Sequence, residues 1–368
     1  MKISSECFLD SELKAIVESV GSSGICDVLL IPSKHVYDTD LDHTLAEYLE
    51  ELVNIYTPLN QCKFAQAPQN ITLAEEIYSE WNLFSPECST TQIASILKAI
   101  CAGKYDQTPE LFDNPVVLEE RYDSRYKVEH SLLGTTTWEN FTKHLTQHNR
   151  YHSSFFNTKL FEKFCWLIIK KYPKGTKFYR ARISKKEGFD ISQMGCPPCH
   201  ESRSGRVNAA GVECLYLSSD LDTTISEVRA DRADYVTIAT FELKEDIWVV
   251  DFKHIDKLSP LKLDDISVSL QEYITNKQYL NKINAEMGKI VRRGDAVLEY
   301  IPTQYICDFI KTISRHDGNK EIKFSGIEYN STLCDKGYNV AIFYPDLLTG
   351  VSVEVREVIS LTYKTEQI

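Results

Sequence analysis

An α+β fold is expected from this sequence, with a mainly helical N-terminal half and a C-terminal half built on short strands. Three observations carry that expectation. As far as about residue 170, apolar residues recur at helical spacing. Beyond Gly175 they gather into short runs rich in β-branched and aromatic residues, bounded by Gly, Pro and Asp. In that second half, helices and strands do not alternate regularly, which favours α+β over a doubly wound sheet.

Taken in order, Leu41, Leu45, Tyr48, Leu49 and Leu52 follow helical spacing with acids on the other face. Leu73, Ile77 and Trp81 do the same, as do Ile93, Ile96, Leu97 and Ile100. An amphipathic stretch from about Leu160 to Ile169 is stopped by Tyr172-Pro-Lys-Gly175, since proline cannot continue a helix and glycine tolerates the turn. Strands are then predicted at residues 177–183, 214–218, 235–241, 247–251 and 339–343, with a sixth at 351–355. Helices are predicted around 223–232 and 303–314. The polar segment His148-Asn-Arg-Tyr-His-Ser-Ser154 suits a junction, which gives a helical domain over 1–160 and a second domain over 161–368.

The formal net charge of −12 argues against general nucleic-acid binding, because phosphate contacts need surplus Lys and Arg. A small anionic substrate needs only one or two arginines aimed into a pocket. No apolar run approaches the ~20 residues that a membrane helix requires. Eleven cysteines are irregularly spaced, and the opening MKISSECFLDSELK is charged, without the apolar stretch of a secretory signal. Reduced thiols and a cytoplasmic location are therefore expected.

P-loop, G-x-G-x-x-G, H-E-x-x-H and G-x-S-x-G patterns are all missing, which removes several common routes to nucleotide, zinc and serine-hydrolase chemistry. Three separated patterns remain. The first is Phe178-Tyr179-Arg180-Ala181-Arg182. The second runs from Gly205-Arg206-Val207-Asn208 through Leu215-Tyr216-Leu217-Ser218 to Thr223-Thr-Ile-Ser-Glu227-Val-Arg229. The third is Phe324-Ser-Gly-Ile-Glu-Tyr-Asn-Ser331, followed by Gly337-Tyr-Asn-Val-Ala-Ile-Phe343.

In this order the patterns resemble the RES family, named for an arginine, a glutamate and a serine, over roughly residues 175–345. The resemblance implies a toxin that degrades NAD, held in check by a companion antitoxin, and an ADP-ribosyltransferase-like fold with mixed strands around an NAD cleft. It places the family arginine on Arg180, the glutamate on Glu227 and the serine on Ser331. Arg206 and Asn208 match the family's glycine-arginine stretch, and Tyr216 matches the aromatic of the following strand; Tyr179, beside Arg180, joins them as a substrate-binding candidate. The family often carries an aromatic after its Gly-Arg pair, where this chain has Val207. NAD is the implied substrate, with no further cofactor and no metal.

The chemistry suits these residue types. Breaking the nicotinamide–ribose bond develops positive charge on the sugar, which a fixed carboxylate such as Glu227 stabilises. A guanidinium fork matches pyrophosphate oxygens, the part given to Arg180 with Arg206 as helper. Ser331 is expected to hydrogen-bond the ribose or to place Glu227.

Each feature also has an ordinary reading. Thr224-Ile-Ser-Glu227 is a capping-box pattern, Arg180 and Arg182 lie in a strand as surface residues often do, and serine is common near turns. Cys196-Pro-Pro-Cys199-His200 is read as a loop over the cleft rather than a redox pair or half a zinc site. Cys7 and Cys26 look like two zinc-binding cysteine pairs with half the ligands missing, so no zinc is expected there. Arg125 and His130 resemble the Arg-x4–6-His motif of HEPN-type ribonucleases, and the helical half resembles HEPN domains. Three alternatives to NAD cleavage follow: protein ADP-ribosylation, a non-catalytic binding module, and RNA cleavage through Arg125 and His130.

Overall fold

The computed structural model describes residues 1–64, 70–255, 258–263, 268–289, 296–318, 320–334 and 337–361. The chain divides into two compact units, Met1–Thr135 with Lys257–Gln278, and Thr136–Asp256 with Tyr279–Ile368.

In the first unit the strands are β1 (Lys2–Ser4), β2 (Ser22–Ile25), β3 (Pro32–Asp38), β4 (Thr57–Pro58) and β5 (Val116–Val117). Its helices are α1 (Ser11–Val20), α2 (Thr44–Asn54), α3 (Leu73–Trp81), α4 (Thr90–Ile100), α5 (Ala102–Gln107), α6 (Glu110–Asp113) and α7 (Ser124–His130). The helical periodicity holds, with Leu45, Leu49 and Leu52 buried on α2 and Ile93, Ile96, Leu97 and Ile100 buried on α4. Leu41 is a correction: it is exposed and precedes the helix. Thr72 with Glu75, and Ser89 with Gln92, close capping boxes that start α3 and α4.

The three-stranded antiparallel sheet β1-β3-β2 was not anticipated in the mainly helical half. Its strands are short and mostly polar, so they carry little period-2 signal. Beside it the Sγ atoms of Cys7 and Cys26 lie 3.6 Å apart, and Cys88 donates to the Cys7 carbonyl at 3.7 Å. Among the described residues no group of three or more His, Cys, Asp or Glu is arranged to hold a metal ion.

The second unit begins with α8 (Trp138–Gln147) and α9 (Thr158–Leu167). The compact units therefore part at Thr135/Thr136 rather than at 160, and Lys257–Gln278 is counted with the first. The physical reason is aromatic packing: Phe141 and Phe156 meet Tyr305, and Phe161 meets Phe309, both of which lie far along the chain.

Next come β6 (Ile169–Tyr172), β7 (Lys177–Ser184), β8 (Leu215–Ser218), α10 (Leu221–Val228), β9 (Tyr235–Leu243) and β10 (Ile247–Asp251). Then follow α11 (Leu270–Gly288), whose end belongs to this unit, α12 (Ala296–Glu299) and α13 (Ile301–Ile310). The last strands are β11 (Ser314–Asp317), β12 (Lys320–Asn330), β13 (Tyr338–Ile342) and β14 (Leu348–Glu357). All six predicted strands are present. The sheet order is β14-β9-β7-β8-β13-β12-β10-β6, with β11 paired to β12. Only β10 and β12 run parallel among these pairs, so the sheet is mixed and the α+β expectation holds.

Strands β12 and β6 carry little strand signal in the sequence. Charged residues and Gly326 interrupt the run that forms β12, and its Glu328 is fully buried. That carboxylate is tolerated because Lys170 reaches it at 2.9 Å, and Lys253 and the Tyr172 hydroxyl also contact it. Gly326 is required because a Cβ there would collide with the Ala341 carbonyl on β13.

One face of the sheet buries Phe178, Leu215, Leu217, Val249, Val340 and Ile342. On the other, Leu221, Ile225 and Val228 of α10 pack on Ala181, Val236 and Ile238. Adjacent strands β7 and β8 share a single register pair, Tyr179↔Ser218. Beyond that pair they separate, and the sheet opens where Arg180 and Tyr216 stand.

Candidate active site

Three adjoining cavities lie along this opening. The largest, about 1120 Å³, is lined by Arg180, Arg182, Cys196, Arg203, Asn208 and Tyr216 among others. A second, about 290 Å³, is lined by Arg206, Tyr216, Glu227, Arg229, Tyr329 and Asn339 among others. Between them, a cavity of about 250 Å³ has both Arg180 and Glu227 in its wall, with Tyr216 again beside them. Tyr216 thus borders all three, and together they exceed the ~300 Å³ lower limit typical of ligand clefts.

Glu227 comes from the last turn of α10. The helix starts at an Asp220 cap, whose side chain accepts from the Thr223 N–H at 2.8 Å. The capping-box reading of Thr224 to Glu227 is therefore a correction, because Glu227 lies at the opposite end of the helix. A carboxylate is electrostatically disfavoured at a helix C-terminus. Here two neutral donors offset that: Ser331 Oγ and Asn339 Nδ2 each reach Oε1 at 2.7 Å. Oε2 has no hydrogen-bond partner among the described residues. Arg229 ends the helix in the left-handed region at φ 51°, a conformation that costs a non-glycine residue about 1 kcal/mol or more.

Ser331 follows β12 directly. Its oxygen accepts from the N–H groups of Leu333 and Cys334, both at 3.2 Å. With its lone pairs so occupied, its proton is aimed at Glu227. Gly337, at the start of the β13 approach, has no room for a Cβ because Thr223 of α10 stands against it. The glycines of the third pattern thus let β12, β13 and α10 close on one another.

Arg180 presents the opposite case. Its Nη1 is buried without a hydrogen-bond partner, and no carboxylate pairs with it among the described residues. Burial, then the neighbouring Arg182, pushes its guanidinium down to about 10, so it stays a cation at neutral pH. A desolvated cation without a carboxylate partner among the described residues is chemically suited to an anion. Arg182 differs: it donates to the carbonyls of Gln193 at 2.7 Å and Gly195 at 3.1 Å.

The remaining candidates divide. Arg206 lines the second cavity, but both terminal nitrogens donate to carbonyls at the end of α11, of Glu286 and Lys289, and its guanidinium stacks over Tyr300 at 5.4 Å. Asn208 is buried; its amide donates to the carbonyls of Arg203, Ala209 and Val212 and its oxygen accepts from Tyr216 at 2.7 Å. It ties the 203–212 loop to β8. The Tyr216 hydroxyl also accepts from the Val207 N–H, so both its donor and an acceptor site are engaged by the 203–212 loop. Tyr179 is not in any of the three cavity walls; it forms the apex pair with Ser218, and its carbonyl accepts from Thr224.

Asn339 was missed as a site residue, although it lay within the third pattern. The available signal was a polar residue amid the buried apolar run of β13. Cys196, Pro197, Pro198 and His200 do line the largest cavity, while the two sulfurs go to different partners, Cys196 to the Cys214 carbonyl and Cys199 to Glu213.

Residues 177–364, slightly more than half of the chain, match the model of the RES domain. The chain belongs to the RES family. No curated protein and no solved structure matches it. RES domains are associated with NAD-related toxin function, and within the matched residues Arg180 and Glu227 line one cavity and Ser331 donates to Glu227. Outside the RES match, Arg125 and His130 both lie on α7. Five residues apart, they point about 140° away from each other around the helix axis. His130 is engaged by Glu272 at 2.7 Å and stacks on Tyr126, so the pair is not assembled into one site. No helix among the described residues is long and apolar enough to cross a membrane.

Proposed function

We propose that this RES protein consumes NAD by breaking the bond between nicotinamide and ribose. The observation that carries the reading is one cavity walled by a carboxylate at one side and an unpaired guanidinium at the other, Glu227 and Arg180. NAD presents complementary charges: an anionic pyrophosphate for Arg180 and a ribose that becomes cationic in the transition state beside Glu227. The splayed strands around the cavity support the ADP-ribosyltransferase-like reading of the unit.

In this mechanism the electrons of the C–N bond leave with nicotinamide, which departs neutral. Glu227 stabilises the oxocarbenium-like sugar electrostatically. An acceptor oxygen, from water or inorganic phosphate, then adds to the sugar carbon; with water the products are nicotinamide, ADP-ribose and a proton. The Tyr216 ring supplies an apolar wall. The steps use side chains of this chain, with NAD as substrate rather than cofactor. A cytoplasmic toxin of this kind depletes NAD and needs restraint by a companion antitoxin.

Incubation of the purified protein with NAD, in buffers with and without phosphate, tests the proposal. Nicotinamide release is the expected result, and the mass of the second product identifies the acceptor. Intact NAD under all conditions overturns it, and label carried onto protein would instead indicate ADP-ribosyl transfer.

A further inference from the structure

We infer that Asn339, braced by Ser218, is a positioning residue that fixes the carboxylate plane of Glu227, binding one oxygen and leaving the other to the substrate. The inference rests on the NAD-cleaving reading above and adds a residue pair to it.

The geometry runs across three elements. Ser218 and Asn339 are directly opposite each other on β8 and β13. Both are buried, Ser218 at 3% and Asn339 at 7% exposure, so water does not supply substitute partners freely. Ser218 Oγ donates to Asn339 Oδ1 at 2.9 Å, which leaves the amide nitrogen directed at Glu227 Oε1, at 2.7 Å. An ionised carboxylate only accepts hydrogen bonds, so the opposite amide orientation would set two acceptors against each other. The Glu227 carboxylate therefore selects the amide orientation, and Ser218, which donates to the other end of the amide, braces the Asn339 side chain in place.

Ser331 donates to the same Oε1 from the other direction. Two donors from two separate strand regions stop rotation of the carboxylate about its last torsion. Oε1 is thereby occupied, while Oε2 has no hydrogen-bond partner among the described residues, and Glu227 lines two of the cavities. One donor alone restrains that torsion less. Preorganisation of this kind acts on the transition state more than on substrate binding.

The test compares Asn339→Asp, Ser218→Ala and Ser218→Thr with the wild type in steady-state NAD cleavage, with NAD affinity measured separately by calorimetry. Asn339→Asp replaces the donor with an acceptor and is expected to lower kcat about 10²-fold. Ser218→Ala removes the brace on Asn339, so the side chain is held less firmly, and is expected to lower kcat about tenfold. In both, KM and NAD affinity are expected to stay within about threefold of wild type. Ser218→Thr keeps the hydroxyl and is expected to restore kcat, which a packing role for Ser218 does not predict. Wild-type kcat in Asn339→Asp and Ser218→Ala overturns the inference. So does a loss confined to KM, which makes Asn339 a binding residue. If the wild type itself leaves NAD intact, the NAD-cleaving reading fails instead. A high-resolution structure of Asn339→Asp then decides the positioning separately: a reoriented Glu227 carboxylate supports it, and an unmoved carboxylate overturns it.

Discussion

The Ser331 hydroxyl donates a 2.7 Å hydrogen bond to Glu227, a residue 104 positions earlier in the chain. Neither residue is special in its own segment. Ser331 sits in a turn after β12, and Glu227 ends a short helix. Only the crossing of those two segments gives the carboxylate its held geometry.

Removal of this donor tests its contribution. Ser331→Ala leaves Asn339 as the single donor to Oε1 and removes the acceptor of the Leu333 and Cys334 N–H groups. Loss of about 1.4 kcal/mol of transition-state stabilisation corresponds to about tenfold in kcat. Steady-state nicotinamide release is the measurement; an unchanged kcat contradicts the assignment.

Glu227→Gln keeps the shape of the side chain and removes its charge. Turnover is expected to fall about 10²- to 10³-fold, the scale of losing one transition-state electrostatic contact. NAD affinity by calorimetry is expected to change little. Comparable turnover in this variant would remove Glu227 from the mechanism.

Arg180→Met has two expected effects of opposite sign. Among the described residues no carboxylate pairs with the buried guanidinium and its Nη1 has no partner, so its removal relieves a poorly compensated charge and raises the Tm of the free protein, by about 2–4 °C for each kcal/mol relieved. NAD binding weakens, because the anion loses its cation. The pH dependence follows from the guanidinium being held near about 10 when folded, below its unfolded value. Below about pH 10 both states keep the proton, so the stability difference between variant and wild type is flat from about pH 7 to about pH 9. Above about pH 10 the unfolded chain binds more protons, and the wild type regains stability as the buried charge is lost. Thermal melts at several pH values, with and without NAD, measure both effects. A lower Tm in the free variant contradicts this account.

Arg206→Met is expected to act on stability first. Both terminal nitrogens of Arg206 are committed to carbonyls at the end of α11. Their loss is expected to cost about 2 kcal/mol, the scale for hydrogen bonds to a charged group. A large rise in KM with no change in Tm would return Arg206 to the role of phosphate ligand.

Much of the fold was legible because its signals are local. The buried faces of α2 and α4 follow from apolar spacing, and β7, β9 and β10 from runs such as Tyr235-Val-Thr-Ile-Ala-Thr-Phe241. β12 was hidden because its buried Glu328 reads as a surface residue until Lys170 and Lys253 are seen beside it. The polar strands of the N-terminal sheet were hidden for lack of alternation. Arg180, Glu227 and Ser331 could be named from ordered motifs, whereas Asn339 could not, since its importance lies in what it touches.

The order of residues by itself determined the chemical inventory: a guanidinium, a carboxylate, a hydroxyl and an aromatic ring, on segments whose helix or strand character follows from side-chain pattern. Tertiary structure decided how each was used. Among the described residues it left Arg180 Nη1 without a partner, filled the fork of Arg206, set Tyr216 in the cavity walls and kept Tyr179 out of them. It also placed the Asn339 amide on Glu227. The reason is physical: backbone propensity is set by near neighbours, whereas hydrogen-bond and ion-pair partners are set by approaches between segments a hundred residues apart.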